Sequence, residues 1–189
     1  MRLLPAAGHR RMPWKNGGGE TIEIAVYPEG AGLDAFDWRV SMAIVAGDGP
    51  FSVFPGIDRT LAIVEGEGMV LDIEGLGRHR LTCETAPLPF PADAPTSARL
   101  EDGAITDLNV MTRRGVRAHR VTRLDAQAPA RIEAETGWRL VVALGAMVVS
   151  NGREELELSE RDVVLLEGPG TIGLSIPSAS RGGYLVTIE

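Results

Sequence analysis

The chain has 189 residues, 44% of them hydrophobic and 24% charged, the composition of an ordinary soluble protein with room for one large domain or two halves sharing a core. A net charge of −7 argues against general nucleic-acid or membrane binding, and a single cysteine, Cys83, excludes an internal disulfide and any need for an oxidising compartment. Only Leu3 and Leu4 precede Pro5, too few for a signal-peptide core, and no stretch reaches the roughly 20 apolar residues of a membrane helix, so a soluble, cytoplasmic protein is expected.

The first motif is PWKNGGG, residues 13–19. Three consecutive glycines permit backbone angles and close approaches that side chains block. Two readings stay open: a loop whose N–H groups line a site beside Trp14, Lys15 and Asn16, or a turn into the first long strand. A phosphate-binding loop is excluded, because it needs G-x-x-x-x-G-K-[ST] and then a helix. Residues 21–26 instead alternate as a strand, with Ile22, Ile24 and Val26 on one face and Thr21 and Glu23 on the other. Tyr27-Pro28-Glu29-Gly30 reads as a turn.

Residues 36–68 organise the chain. Phe36, Trp38, Val40, Met42 and Ile44 alternate with Asp37, Arg39, Ser41, Ala43 and Val45, which predicts a strand with two different faces. Gly47, Gly49, Pro50, Pro55 and Gly56 then shape a loop. An apolar strand, Leu61–Val64, ends in Gly66-Glu67-Gly68, which reads as a hairpin turn into Met69–Ile73. This succession is that of an antiparallel barrel wall. One of its faces carries Arg39 and Ser41, and a barrel that turns this face inward has a polar interior, the mark of a bound ligand.

Residues 74–104 read as loop-rich, since Pro87, Pro89, Pro91 and Pro95 exclude a central strand there. From Ile105 to Arg113 alternation returns, with Asp107, Asn109, Met111 and Arg113 on one side and Leu108 and Val110 on the other. Residues 113–123 are basic but hold no aromatic to stack a base and sit in no DNA-binding motif. They read as a solvated edge strand guarded by its arginines. In the second half, Trp138–Leu144 is a strand that Gly145 turns into Ala146–Val149, and Ser150-Asn151-Gly152 is a type I′ hairpin turn. Leu156 and Leu158 alternate with glutamates, and Val163–Leu166, Ile172–Ile176 and Tyr184–Ile188 complete the sheet. Leu61 and Gly66 share their spacing with Leu140 and Gly145, an internal echo of two similar β units. No segment keeps a helical period, so the fold class is all-β.

The chemistry is that of recognition. His9, His79 and His119 lie far apart, with no H-x-H, no H-E-x-x-H and no Cys/His cluster, so no metal and no cofactor is expected. There is no G-x-S-x-G elbow, and Cys83 lacks the signature of an activated thiol. Arg39 and Arg59 are forked cations suited to a carboxylate. Asn16, Ser41 and Asn109 supply neutral hydrogen bonds, Glu23 and Asp107 can receive an amine or orient the arginines, and Trp14 and Phe54 can wall the site. For each arginine an internal ion pair with Asp107 or Glu23 is the competing role.

PWKNGGGETIE (13–23), FDWRVSMA (36–43), GPFSVFPGIDR (49–59) and DLNVMTRRG (107–115) resemble the HutD/Ves family, in order and over most of the chain. The resemblance implies a bicupin, two cupin-like jelly-roll barrels in one chain, divided here as 1–115, with the ligand pocket, and 116–189, with strands exchanged between the halves allowed. It also implies no metal: Arg59 falls where a cupin carries its glutamate, and the histidine pair is missing. The family's shared positions carry over as Trp14, Asn16, Gly17, Gly18, Thr21, Glu23, Arg39, Ser41, Phe54, Arg59, Asp107 and Asn109. One departure is Ala92-Asp93, where the family has Gly-Asp. The implied role is a non-enzymatic sensor or regulator in histidine utilisation that binds an acidic intermediate such as formylglutamate or urocanate. The alternatives are an isomerase or lyase with Glu23 or Asp107 as general base, and a scaffold whose barrels serve dimerisation. The expected partner is thus a small carboxylate metabolite, with no nucleic acid and no membrane, and a homodimer is the one assembly considered.

Overall fold

A computed structural model of the chain describes residues 1–15, 17–128, 131–134 and 136–189. Among these residues the helical structure is one 3-10 turn, Ala6–Gly8, and no helix is long and apolar enough to cross a membrane. Two compact units divide the chain: Arg10–Ala118, and Met1–His9 together with His119–Glu189. The boundary after Ala118 lies three residues beyond the one drawn from sequence, and the first nine residues go with the C-terminal unit.

The first unit contains β2 (Arg10–Pro13), β3 (Gly19–Tyr27), β4 (Trp38–Val45), β5 (Gly49–Pro50), β6 (Ile57–Glu65), β7 (Met69–Ile73), β8 (Gly77–Leu81), β9 (Leu88–Pro91), β10 (Thr96–Leu100) and β11 (Ile105–Arg113). They form a six-stranded sheet, β2-β3-β4-β11-β6-β9, and a four-stranded one, β5-β10-β7-β8. The second unit contains β1 (Arg2–Leu4), β12 (His119–Leu124), β13 (Arg131–Ala134), β14 (Trp138–Ala143), β15 (Met147–Ser150), β16 (Glu155–Leu158), β17 (Val163–Glu167), β18 (Gly170–Ser175) and β19 (Gly183–Ile188). Its sheets are β1-β17-β14-β19-β12 and β13-β18-β15-β16.

The two orders are the same order. Adding eight to each label turns β4-β11-β6-β9 into β12-β19-β14-β17, and β5-β10-β7-β8 into β13-β18-β15-β16. Each unit is thus an eight-stranded, two-sheet antiparallel roll, with β2 and β3 added to the first and β1 to the second. The repeat suggested by Leu61–Gly66 and Leu140–Gly145 is present, one residue out of phase. Leu61 belongs to the interior cluster of its unit, whereas the matching interior cluster takes Val141 and Ala143.

Gly66 and Gly145 end strands without making the expected hairpins. β6 pairs with β11 and β9, whereas β7 pairs with β10 and β8, so Gly66-Glu67-Gly68 carries the chain from one sheet to the other. β14 and β15 are divided in the same way. Gly66 adopts φ +95°, and a Cβ there would meet the Ala104 carbonyl at 2.8 Å, so the corner requires glycine. The Asn151-Gly152 hairpin does form between β15 and β16, but over a longer loop. Only Gly152 has positive φ there, and the Asn151 side chain accepts from the amides of Arg153 and Glu154, both at 3.0 Å. The loop-rich region holds β8 and β10 as well as β9. β9 is an edge strand, the place its prolines allow.

Candidate functional site

Antiparallel register fixes which side chains meet, because directly paired residues share a face. Across the large sheet of the first unit, Ala43 pairs with Asp107 and Asp107 with Ile63, Ser41 with Asn109 and Asn109 with Leu61, and Arg39 with Met111 and Met111 with Arg59. On the flanks Glu23 pairs with Ser41, Thr21 with Ala43, and Phe90 with Arg59. Ala43, Leu61, Ile63 and Phe90 belong to the unit's interior cluster, so this face is the inside of the roll. The polar positions on it are Thr21, Glu23, Arg39, Ser41, Arg59, Asp107 and Asn109. Arg39 and Arg59 are each 5% exposed, Ser41 2% and Asp107 1%. The opposite face of β4, with Trp38, Val40 and Met42, is also buried, so the strand meets water on neither side.

The two arginines differ in what they face. Arg39 donates from Nε to Glu23 Oε2 at 2.8 Å, and Arg10 approaches Glu23 Oε1 at 3.7 Å, so the Arg39 charge is balanced on the spot. For Arg39 the ion-pair role holds. Arg59 has no carboxylate within ion-pair distance among the described residues. Its guanidinium carbon lies 5.5, 5.3 and 5.7 Å from the ring centres of Phe51, Phe54 and Phe90, its Nη2 makes a long 3.5 Å bond to the Ser52 carbonyl, and its buried Nε has no partner among the described residues. Burial pulls its pKa down to about 10, with Asp107 opposing the shift and Arg39 adding to it. Arg59 therefore stays charged at neutral pH, poorly solvated and incompletely bonded.

Asp107 is the counterpart. Burial pushes its carboxyl up to about 7, against the Arg59 charge and a hydrogen bond from the Ala43 amide. Asn109 donates from Nδ2 to Asp107 Oδ1, while Oδ2 has no partner among the described residues. The interior thus offers one unbalanced cation and one carboxyl that titrates near neutrality. Such a set can hold an anion, or move a proton on one.

The remaining sequence candidates lie at the edge. Trp14 is half-buried, packs against the interior cluster and donates from Nε1 to Thr21 Oγ1 at 2.8 Å. Gly17 adopts φ +70° and spends its N–H on the Trp14 carbonyl at 3.0 Å, while the Gly18 carbonyl accepts from Ala46 at 2.9 Å. Gly19 is where the triple glycine is indispensable: a Cβ would sit 2.2 Å from the Ile44 carbonyl and 3.0 Å from the Trp14 ring. Asn16 lies outside the described residues. The Ala92-Asp93 loop is tied down, since Asp93 accepts from Gly56 at 3.3 Å and from Arg114 at 2.9 Å. In the basic segment Arg113 donates to the Phe36 carbonyl at 2.9 Å, Arg114 also binds Asp58 at 2.8 Å, and β12 is an edge strand.

Sequence reading missed Phe51 and Phe90, which with Phe54 enclose Arg59. For Phe51 the signal was there, since it and Phe54 punctuate a loop between prolines; Phe90 is brought opposite Arg59 only by the pairing of β6 with β9. It also missed Arg139, 2% exposed in the second unit. Arg139 donates to the carbonyls of Gly170 at 2.6 Å and Gly168 at 2.8 Å, beside a hollow of about 760 Å³ lined by Glu133, Thr171 and Glu189. Its Nη1 and Nη2 are spent on backbone, and its Nε is buried without a partner among the described residues, as that of Arg59 is. With Glu133 and Glu189 in its lining the hollow is a poorer seat for an anion. The three histidines are scattered: His9 bonds the Leu4 carbonyl, His79 is on exposed β8, and His119 starts β12.

Comparison with known proteins places this arrangement. The family model described as HutD matches residues 6–182. The chain belongs to the HutD family. A Pseudomonas putida protein described as an uncharacterized 21.2 kDa protein in the hutC 3′ region is 34% identical over 89% of this chain and 87% of its own. Protein Ves of Citrobacter koseri is 42% identical over 56% of each chain. The structure titled HutD from Pseudomonas fluorescens SBW25, formate condition, superposes with a TM-score of 0.84 at 30% identity, covering 99% of this chain and 97% of that one. A cupin 2 conserved barrel domain protein from Leptotrichia buccalis, with a TM-score of 0.55 at 12% identity over 89% of this chain and 86% of its own, shares the fold alone. The HutD-family chain is therefore a cupin-like β protein of two rolls.

Proposed function

We propose that the first roll binds a small carboxylate and that the chain serves histidine utilisation in the cytoplasm as a sensor or regulator, with an acidic intermediate such as formylglutamate or urocanate as ligand. The observation that carries this reading is Arg59: a buried guanidinium ringed by three phenylalanines, with an unbonded Nε and, among the described residues, no carboxylate within ion-pair distance. A buried cation without an anion is costly, so an incoming carboxylate gains both the charge and the forked geometry. The link to histidine utilisation rests on family membership and on the hutC-region description of the Pseudomonas putida relative.

A second reading is supported by Asp107. A carboxyl that titrates near 7 inside a roll suits a general base, so an isomerase or lyase acting on the same acid is the alternative. Glu23 does not suit that role, being engaged by Arg39. Calorimetric titration with formylglutamate, urocanate and formate tests the first reading. Saturable binding is expected for the native chain, weakened about a hundredfold or more by Arg59→Met. Binding of none of the three overturns it. Turnover of a bound acid, lost in Asp107→Asn while binding persists, would establish the enzyme instead.

A further inference from the structure

We propose that the site takes up a proton with its carboxylate, and that the proton settles on Asp107. The inference rests on the binding reading above and adds to it a pH-dependent coupling.

The argument is a count of charges in a water-poor interior. Glu23 on β3 cancels Arg39 on β4 at 2.8 Å, which leaves Arg59 on β6 and Asp107 on β11 as the groups that set the net charge of the site. The facing sheet and its margin supply Met69, Leu71, Ile73, Leu81 and Ala98, with Cys83 at the edge donating to the Gly66 carbonyl. Two further ionisable groups share these faces by register but sit at the solvent-exposed rim: Arg10, paired with Glu23, and His79, paired with Leu71 on the facing sheet and bonded to the Leu76 carbonyl. With Asp107 ionised the pair is neutral, and an entering carboxylate meets a like charge where little water screens it. Like charges so placed do not both stay ionised. With Asp107 protonated the Arg59 charge is uncompensated and attracts the anion fully.

The geometry has a seat for the proton. Asp107 is 1% exposed, and its Oδ1 is engaged by Asn109. Its Oδ2 is buried and without a partner among the described residues, so an O–H can form there without breaking an existing hydrogen bond. The proton comes from bulk solvent or buffer, and one O–H bond forms at Oδ2. No bond in the ligand breaks. The carboxyl already titrates close to neutrality before any ligand arrives, so a modest extra push completes its protonation.

The test is calorimetric titration of sodium formate into the full chain at about pH 7.5, in phosphate and in Tris, whose ionisation heats differ, repeated at about pH 8.5. The expected result is uptake of half to one proton per formate, with affinity falling roughly tenfold per pH unit above neutrality. In Asp107→Asn, uptake should vanish and affinity become independent of pH. Formate binding by the native chain with equal heats in both buffers overturns the coupling and leaves the site standing. The same uptake in Asp107→Asn puts the proton on another group and overturns the assignment. Absence of binding at every pH, or binding untouched by Arg59→Met, removes the Arg59 site itself and the coupling with it. The buffer comparison on the native chain decides whether a proton is taken up even if a variant fails to fold. The Asp107 carboxyl stretch by infrared difference spectroscopy on the native chain, with and without formate, then decides where it sits: its absence in the formate-bound state overturns the assignment.

Discussion

The two rolls share one strand order, yet their interiors differ in kind. β4, β6 and β11 aim Arg39, Arg59, Ser41, Asp107 and Asn109 inward, whereas the equivalent β12, β14 and β19 supply Leu124, Val141, Ala143 and Leu185 to the interior cluster. Among the described residues the second roll keeps one buried arginine, Arg139, and its Nη1 and Nη2 end on backbone carbonyls of its own unit. Arg59 ends on aromatic rings and one long bond. Topology therefore does not locate a site. The partners left to each buried charge do.

That contrast can be broken at three places. The largest effect is expected from Glu23→Ala, which strands Arg39 in the interior; a loss of about 3–5 kcal/mol should appear in urea unfolding, and an unchanged midpoint would mean that the pair is not the balance described here.

Next comes Asp107. Its folded pKa lies above its unfolded one, so the folded state holds a proton that the unfolded state releases between about pH 4 and 7. Stability contributed by this group is complete at low pH and declines as pH rises through that window. Asp107→Asn should remove the decline, so that relative to the native chain it gains on the order of 2–4 kcal/mol between pH 4 and 8. Unfolding midpoints of the two proteins that run parallel across this range would contradict it.

The smallest effect is expected from Arg139→Met, about 1–3 kcal/mol from lost hydrogen bonds to Gly168 and Gly170. Formate titration should be unaffected, the reverse of Arg59→Met. Loss of formate binding in Arg139→Met would erase the distinction between the rolls.

Local pattern made much of this legible. Period two across residues 36–45 and 105–113 identifies the strands and their polar faces, because alternation depends only on the strand itself. Gly66 and Gly145 read as hairpin turns because a turn residue looks the same whether the chain folds back on its neighbour or crosses to another sheet. Long-range pairing makes that choice. Thr96–Leu100 is hidden behind four prolines that constrain only the strand before it. The unequal fates of the arginines are also out of reach: Arg39 and Arg59 have the same side chain on similar faces. The register decides, by setting Glu23 against Ser41 beside Arg39 and the Phe90 ring against Arg59.

The strand Arg2–Leu4 has a consequence for how the chain comes to be. It pairs with β17 through Leu3 and Val164, and Ala6 donates to Asp162 at 2.9 Å. During synthesis this segment leaves the ribosome long before its partner and must wait, unpaired, until residues 163–167 have emerged, whereas Arg10–Ala118 is a compact unit made from one continuous stretch of chain. Cutting the gene at one internal codon therefore cannot yield a complete second half, and a fusion partner placed ahead of Arg2 presses on the fold of the far end.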